Sequence, residues 1–242
     1  MTLFSFNRRR ATRLIPGQLL GLVLLFACNQ PALAEIVTRL PGNEPVVALT
    51  FDACETRTPS SFDQKIVAYL IKEEIPATIF VNGKFARRNM EALRSIAGEP
   101  FIEIENHSLN HPQHMENLNE QEITREVLGG EELIVQATGR KPLFFRFPAG
   151  NHDQRSVKVV ENLGYRVVHW TFASGDPSKG TTPARLVDWV VEKTRKGAIL
   201  IFHINGRGYG TGEALPQIVQ QLRQKGYRFV LLKDSLAWPA SD

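Results

Sequence analysis

Short, near-continuously apolar runs rich in β-branched residues recur along the chain at Val46 to Phe51, Ala77 to Val81, Phe101 to Glu105, Leu143 to Arg146, Arg166 to Phe172, Ala198 to His203 and Tyr227 to Leu232. Runs of this kind, without polar alternation, predict strands of a parallel sheet covered on both faces. Helix punctuation lies between them. Ser61 with Gln64 reads as a capping box ahead of Phe62, Ile66, Tyr69 and Leu70, and Thr182-Pro183 supplies an N-cap and a first-turn proline ahead of Leu186, Trp189, Val190 and Thr194. Gly139, Gly164, Gly197 and Gly226 stand where helices should stop. A long helix from Glu120 to Ala137 is interrupted by Gly129-Gly130, at about 1 kcal/mol per glycine. Seven strands alternating with six helices predict an α/β protein, an open or distorted seven-stranded (β/α) barrel.

The first 34 residues follow a different pattern. Arg8, Arg9, Arg10 and Arg13 precede the apolar stretch Leu14 to Ala27, and Ala32-Leu33-Ala34 has the small-x-small form of a signal-peptidase site. Residues 1–34 therefore read as a signal peptide, with export to the periplasm or the exterior. The apolar run is short for a membrane span and contains Pro16 and Gly17. A competing route is lipidation of Cys28 in Leu25-Phe26-Ala27-Cys28, which would tether the protein to a membrane; the bulk of Phe26 favours cleavage after Ala34.

Charge takes its meaning from that segment. The whole chain has 29 basic and 25 acidic residues, but four of the arginines lie before Ala34, so the remainder is balanced. Nothing in it calls for a nucleic-acid partner or, unless Cys28 is lipidated, a membrane. Cys54 is the one cysteine left after cleavage, which excludes an intramolecular disulfide. Residues 35–242 show no low-complexity linker and fit one domain.

In barrels of this class the chemistry sits at the C-terminal ends of the strands. Asp52 follows the first predicted strand, His107 and His111 the third, Arg146 ends the fourth, Asp176 lies in the loop after the fifth, and His203 closes the sixth. Two histidines four apart can converge on one metal ion if the backbone makes a helix-like turn there.

These residues resemble the NodB-type polysaccharide deacetylases of carbohydrate esterase family four. Thr50-Phe51-Asp52 is similar to the start of the first family motif, His107-Ser108-Leu109-Asn110-His111 to its metal motif, and Arg146-Phe147-Pro148-Ala149-Gly150 to its third. Trp170 with Asp176 resembles the fourth motif and Leu200-Ile201-Phe202-His203 the fifth. The resemblance runs from about Val46 to Leu232. It implies metal-assisted hydrolysis of acetamido groups on amino-sugar polymers such as peptidoglycan or chitin, with a divalent ion, Zn²⁺ above others, as cofactor. It also implies Asp52 as general base, His203 as general acid, His107 and His111 as metal ligands, Arg146 paired with a buried carboxylate, and Asp176 orienting His203. Pro148, Ala149, Gly150 and Trp170 are implied in substrate binding, the Ala149 N–H toward the developing oxyanion.

One departure bears on the metal. Where the family has a second aspartate and then glycine, this chain has Ala53-Cys54. Three repairs are open: the Cys54 thiolate, Asp52 turning to the metal, or two histidines with waters. The last two rank ahead, because a shift of one residue points a side chain elsewhere. The departure also keeps open a glycan-binding relative with weak turnover, or an amidohydrolase of small amides on the same fold. His114, His152 and His169 read as surface or supporting groups, Trp189 and Trp238 as core or rim, and Gly206 to Gly212 as a flexible lip over the barrel mouth.

Overall fold

The computed structural model describes residues 1–2 and 35–236. Apart from its first two residues the segment 1–34, expected to be a signal peptide, lies with Cys28 outside the described residues, as does Trp238. The strands are β1 (Ile36–Val37), β2 (Val46–Ala53), β3 (Ala77–Val81), β4 (Ile102–Asn106), β5 (Phe144–Phe145), β6 (Arg166–Val168), β7 (Phe172–Ala173), β8 (Ile199–His203) and β9 (Arg228–Val230). The helices are α1 (Gln64–Lys72), α2 (Gly83–Arg88), α3 (Met90–Ile96), α4 (Glu120–Thr138), α5 (Gln154–Asn162), α6 (Pro183–Lys193), α7 (Thr211–Gln224) and α8 (Leu232–Ser235).

All nine strands pair in parallel in the order β1-β6-β5-β4-β3-β2-β8-β7, with β9 also on β2. At Ala48, β2 pairs with Ile199 and Val230, and at Thr50 with Ile201 and Thr78, so β9 and β3 share one edge of β2 in succession. This is the expected distorted (β/α) barrel, with nine strands in place of seven. β1 was too short to show a pattern, and the run Arg166 to Phe172 divides in two. His169 N–H turns to Val37 O and Thr171 N–H to Ile199 O, moving the chain from β1 and β5 to β8.

The helices also depart in places. The connection between β3 and β4 carries two helices meeting at Asn89. The cap of α1 is Asp63, whose carboxylate accepts from the N–H groups of Lys65 and Ile66, and not Ser61. Thr182 does cap α6, accepting from Arg185 N–H. Helix α4 runs unbroken through its glycines. A Cβ on Gly130 would lie 2.5 Å from Asn106 Oδ1 and 2.9 Å from Ser108 O, and one on Gly129 would lie 2.8 Å from Leu109 Cδ2. The glycines let the helix lie flat against the segment that leads to His111, which outweighs their cost in propensity.

Alternation along the strands separates two buried sets. Leu49, Phe51, Ile79, Val81, Leu200 and Phe202 face the helices. Val46, Ala48, Phe80, Phe144, Val168 and Ile199 face inward, where Leu232 and Leu236 join them. The interior is thus apolar toward the N-terminal ends of the strands, and its polar groups Thr50, Asp52 and Arg146 lie above. Two carboxylates are exceptions. Glu103 accepts from Thr78 Oγ1 and from the N–H groups of Leu232 and Lys233 at the start of α8, and Glu105 accepts from the N–H groups of Leu143 and Phe144. Among the described residues no helix is long and apolar enough to cross a membrane.

Candidate active site

Arg146, the residue after β5, is fully buried and serves as the hub. Its Nη1 donates to Asp52 Oδ1 at 2.7 Å, Nη2 to Thr50 Oγ1 at 2.9 Å and His169 O at 3.1 Å, and Nε to Val168 O at 3.2 Å. The guanidinium lies over the Phe80 ring, 3.9 Å from its centroid. A buried guanidinium is tolerable only with its donors so occupied. Burial raises the Asp52 carboxyl, but Arg146, then His107 and His203, outweigh it and hold the group at about 2, so it is ionised.

The other oxygen of Asp52 faces the histidines, with Oδ2 3.6 Å from His107 Nε2. His107 Nδ1 sits 2.8 Å from Arg146 O. A carbonyl only accepts, so Nδ1 carries the hydrogen and Nε2 presents its lone pair. That Nε2 is buried without a hydrogen-bond partner, as is His111 Nδ1, and the two rings are 4.9 Å apart. Desolvation lowers both imidazoles; His111, next affected by His107, falls to about 3.

The pair converges without the helix-like turn expected of its spacing. Ser108 and His111 both have left-handed backbone, with φ of 70° and 60°, and the loop is pinned by Ser108 N–H to Asn106 Oδ1, His111 N–H to Ser108 Oγ and Gly83 N–H to Ser108 O. Ala149, in the Pro148–Gly150 turn, is also left-handed at φ 54°. Such strain concentrates at functional sites.

Opposite stands a second buried pair. Asp176 Oδ1 lies 2.9 Å from His203 Nδ1 and also accepts from Ser174 Oγ, while Oδ2 accepts from His203 N–H and Thr211 Oγ1. Burial lowers the His203 imidazole, but the hydrogen bond and charge of Asp176 dominate and raise it, favouring the protonated form. The segment Gly206 to Gly212 is therefore more than a lip. Thr211 and Gly212 begin α7, Tyr209 N–H donates to Asp176 O, and a Cβ at Gly208 would come within 2.7 Å of Asp176 Oδ2.

Asp52, His111, Ala149, Trp170, Asp176 and His203 line one cavity of about 390 Å³. Trp170 is stacked on His169, with centroids 5.2 Å apart and planes at 12°. Pro148 is buried beneath Ala149, and Gly150 packs under the Trp170 ring. His169 is buried as a supporting group, its carbonyl accepting from Arg146, while His114 and His152 are exposed. Thr50, Ser174, Thr211 and Arg207 also belong to the site or its supports. Thr50 was legible as the inward neighbour of Asp52 on the strand alternation; the others carried no signal.

The donor set suits a divalent ion in part. Two neutral imidazoles with free lone pairs beside an ionised carboxylate are zinc-competent. Burial, then the charge of Asp52, push the Cys54 thiol up to about 11, and its Sγ accepts from Asn205 Nδ2 at 3.4 Å, which ranks Cys54 behind Asp52 and water as a third ligand. Ala53 is fully buried in the helix-side core. Among the described residues no three His, Cys, Asp or Glu side chains close around a common point. A two-histidine site completed by water, with Asp52 alongside, is what these residues fit.

Residues 39–168 match the family described as polysaccharide deacetylase. The chain is 28% identical over 206 residues to a peptidoglycan-N-acetylglucosamine deacetylase of Bacillus cereus, covering 84% of this chain and 93% of that one. It is 28% identical to the peptidoglycan-N-acetylmuramic acid deacetylase PdaA of Bacillus subtilis, over 79% of this chain and 71% of the other. Among solved structures it resembles a CE4 family pseudoenzyme from Bacillus anthracis, with a TM-score of 0.75 and 25% identity over 84% of this chain and 69% of that one. A mutant of that pseudoenzyme is described as having restored enzymatic activity.

Proposed function

The chain belongs to the polysaccharide deacetylase family, hydrolases of carbon–nitrogen bonds, and we propose that it is an exported, metal-dependent N-deacetylase of amino-sugar polymers of the peptidoglycan or chitin type. The observation that carries this is the facing of two buried pairs, Asp52 with Arg146 and His203 with Asp176, across one cavity beside the free nitrogens of His107 and His111. Binding a glycan needs no such acid–base set.

In this reading His107 and His111 hold the ion, with Asp52 beside it. When bound, a divalent ion such as Zn²⁺ polarises the acetamide carbonyl and acidifies a water. Asp52, kept ionised and aimed by Arg146, takes the proton from the attacking water. The protonated His203, held by Asp176, delivers a proton to the departing amine. The Ala149 N–H, in its left-handed turn at the cavity wall, is placed by this proposal toward the developing oxyanion. Pro148 and Gly150 hold that turn, and Trp170 borders the sugar. Export, with residues 1–34 removed as a signal peptide and residues 35–242 as the mature catalytic domain, is part of the same proposal and rests on the charge and hydropathy pattern of the N-terminus.

Acetate release from purified peptidoglycan and from chitin oligomers, with and without chelator, tests it. Chelator-sensitive release that added Zn²⁺ restores is expected. Glycan binding by the metal-loaded protein without release would instead support the non-hydrolytic reading, which Ala53 favours.

A further inference from the structure

Trp189 is the one aromatic among the strongly exposed large apolar side chains of the described residues, at 43%. Its neighbours Leu186, Val187, Val190 and Val191 form the buried face of α6. The indole is not loose. Its Nε1 donates to Ala173 O on β7 at 3.0 Å, and the Lys193 ammonium sits over the ring, 4.8 Å from the centroid. A large apolar plate held in place and left open to solvent offers a face on which a ligand can stack.

The plate walls a cavity of about 410 Å³, within the range of small-ligand sites. The loop opposite is built, with Ser178 N–H donating to Gly175 O, Thr181 N–H to Ser178 O and Thr181 Oγ1 to Gly175 O. Arg185 lines the same cavity and has no acidic partner within ion-pair distance among the described residues. Ala173, Ser174, Gly175 and Ser178 line both this cavity and the catalytic one, so the two meet along the end of β7. Ser174 joins them chemically, since its hydroxyl donates to the carboxylate that holds His203.

We propose that this cavity is a binding subsite for a neighbouring unit of the amino-sugar polymer whose acetamido group is cleaved at His203. A pyranose ring has apolar C–H faces and a polar rim, which match an indole flanked by a guanidinium and a serine hydroxyl. Continuity with the catalytic cavity selects a second unit of the same polymer over an unrelated ligand. The inference rests on the proposed function for the identity of that polymer.

The test is acetate release by the zinc-loaded mature protein from β-1,4-linked N-acetylglucosamine oligomers of two to six units, for wild type, Trp189→Ala and Trp189→Phe. With the subsite, wild-type kcat/KM rises with length, and the ratio of hexamer to dimer falls about tenfold or more in Trp189→Ala, the range of a buried aromatic anchor, and less in Trp189→Phe. An identical ratio in wild type and Trp189→Ala overturns the subsite. If wild type releases no acetate from these oligomers, release from peptidoglycan decides the proposed function, and hexamer affinity by calorimetry decides the subsite separately. Weaker binding by Trp189→Ala supports it, and equal binding overturns it.

Discussion

Arg146 and Asp52, 94 residues apart in the chain, meet through a 2.7 Å hydrogen bond between Nη1 and Oδ1 in the barrel interior, where neither side chain is more than marginally exposed. The remaining donors of the guanidinium reach Thr50, Val168 and His169, so one side chain ties together β2 and the segment from β6 toward β7 while setting the charge of the carboxylate.

Arg146→Lys keeps the charge but not the fork. A lysine ammonium cannot reach these acceptors in one plane, and its stronger hydration makes burial costlier. The variant should lose about 3 kcal/mol or more of unfolding free energy and at least about a hundredfold in kcat/KM. Urea unfolding and acetate release measure the two; a wild-type value in both would remove Arg146 from its central place.

Metal binding should depend on the two imidazoles whose free nitrogens lack partners. His107→Ala and His111→Ala should each lower Zn²⁺ affinity by about tenfold or more, read by calorimetry on the metal-free protein, with cooperative unfolding retained. Full occupancy in the double variant would place the ion elsewhere.

Ala53 stands where the family resemblance implies a metal carboxylate, and here it is sealed in the helix-side core. A carboxylate introduced there is buried at a cost of several kcal/mol unless the strand end turns it toward the histidines. Ala53→Asp should therefore melt below wild type without metal, and Zn²⁺ should raise its melting temperature by more than it raises that of wild type. An equal metal-induced rise in both would show that the loop does not adapt.

Glu105 carries a pH dependence unrelated to the chemistry. Burial first, and the neighbouring charge of Glu103 second, raise its carboxyl well above the usual range. The unfolded chain releases this proton near about pH 4.3 while the folded chain keeps it. Its contribution to stability is thus full below that pH and is lost as pH rises through the folded value. Glu105→Gln, which still offers an oxygen to the Leu143 and Phe144 N–H groups, should flatten stability against pH on the alkaline side and match or exceed wild type there. Urea midpoints from pH 5 to 8 check this; an unchanged slope would contradict it.

Much of this was legible in the sequence, for identifiable reasons. The long buried strands announce themselves because both faces are covered, and the strand-end rule collected Asp52, His107, His111, Arg146, Asp176 and His203 before any geometry was known. The strand β1 carried no pattern because two residues cannot show a period. The run through His169 read as one strand because hydrophobicity does not reveal a change of pairing partner. Gly129-Gly130 looked like a helix fault because the chain that packs on it, Asn106 to Leu109, is remote in sequence. The supports of Asp176, Ser174 and Thr211, were invisible for the same reason, since short hydroxyl side chains acquire meaning only from what the fold sets beside them.

The most direct measurement is acetate release by Asp52→Asn beside wild type, both zinc-loaded, on whichever of peptidoglycan or chitin oligomers the wild type cleaves. Asparagine keeps an oxygen for Arg146 but cannot take a proton, so folding should persist while the rate falls by about a hundred- to ten-thousandfold. Wild-type release by a folded, uncontaminated Asp52→Asn protein would contradict the account and remove the buried carboxylate from the chemistry.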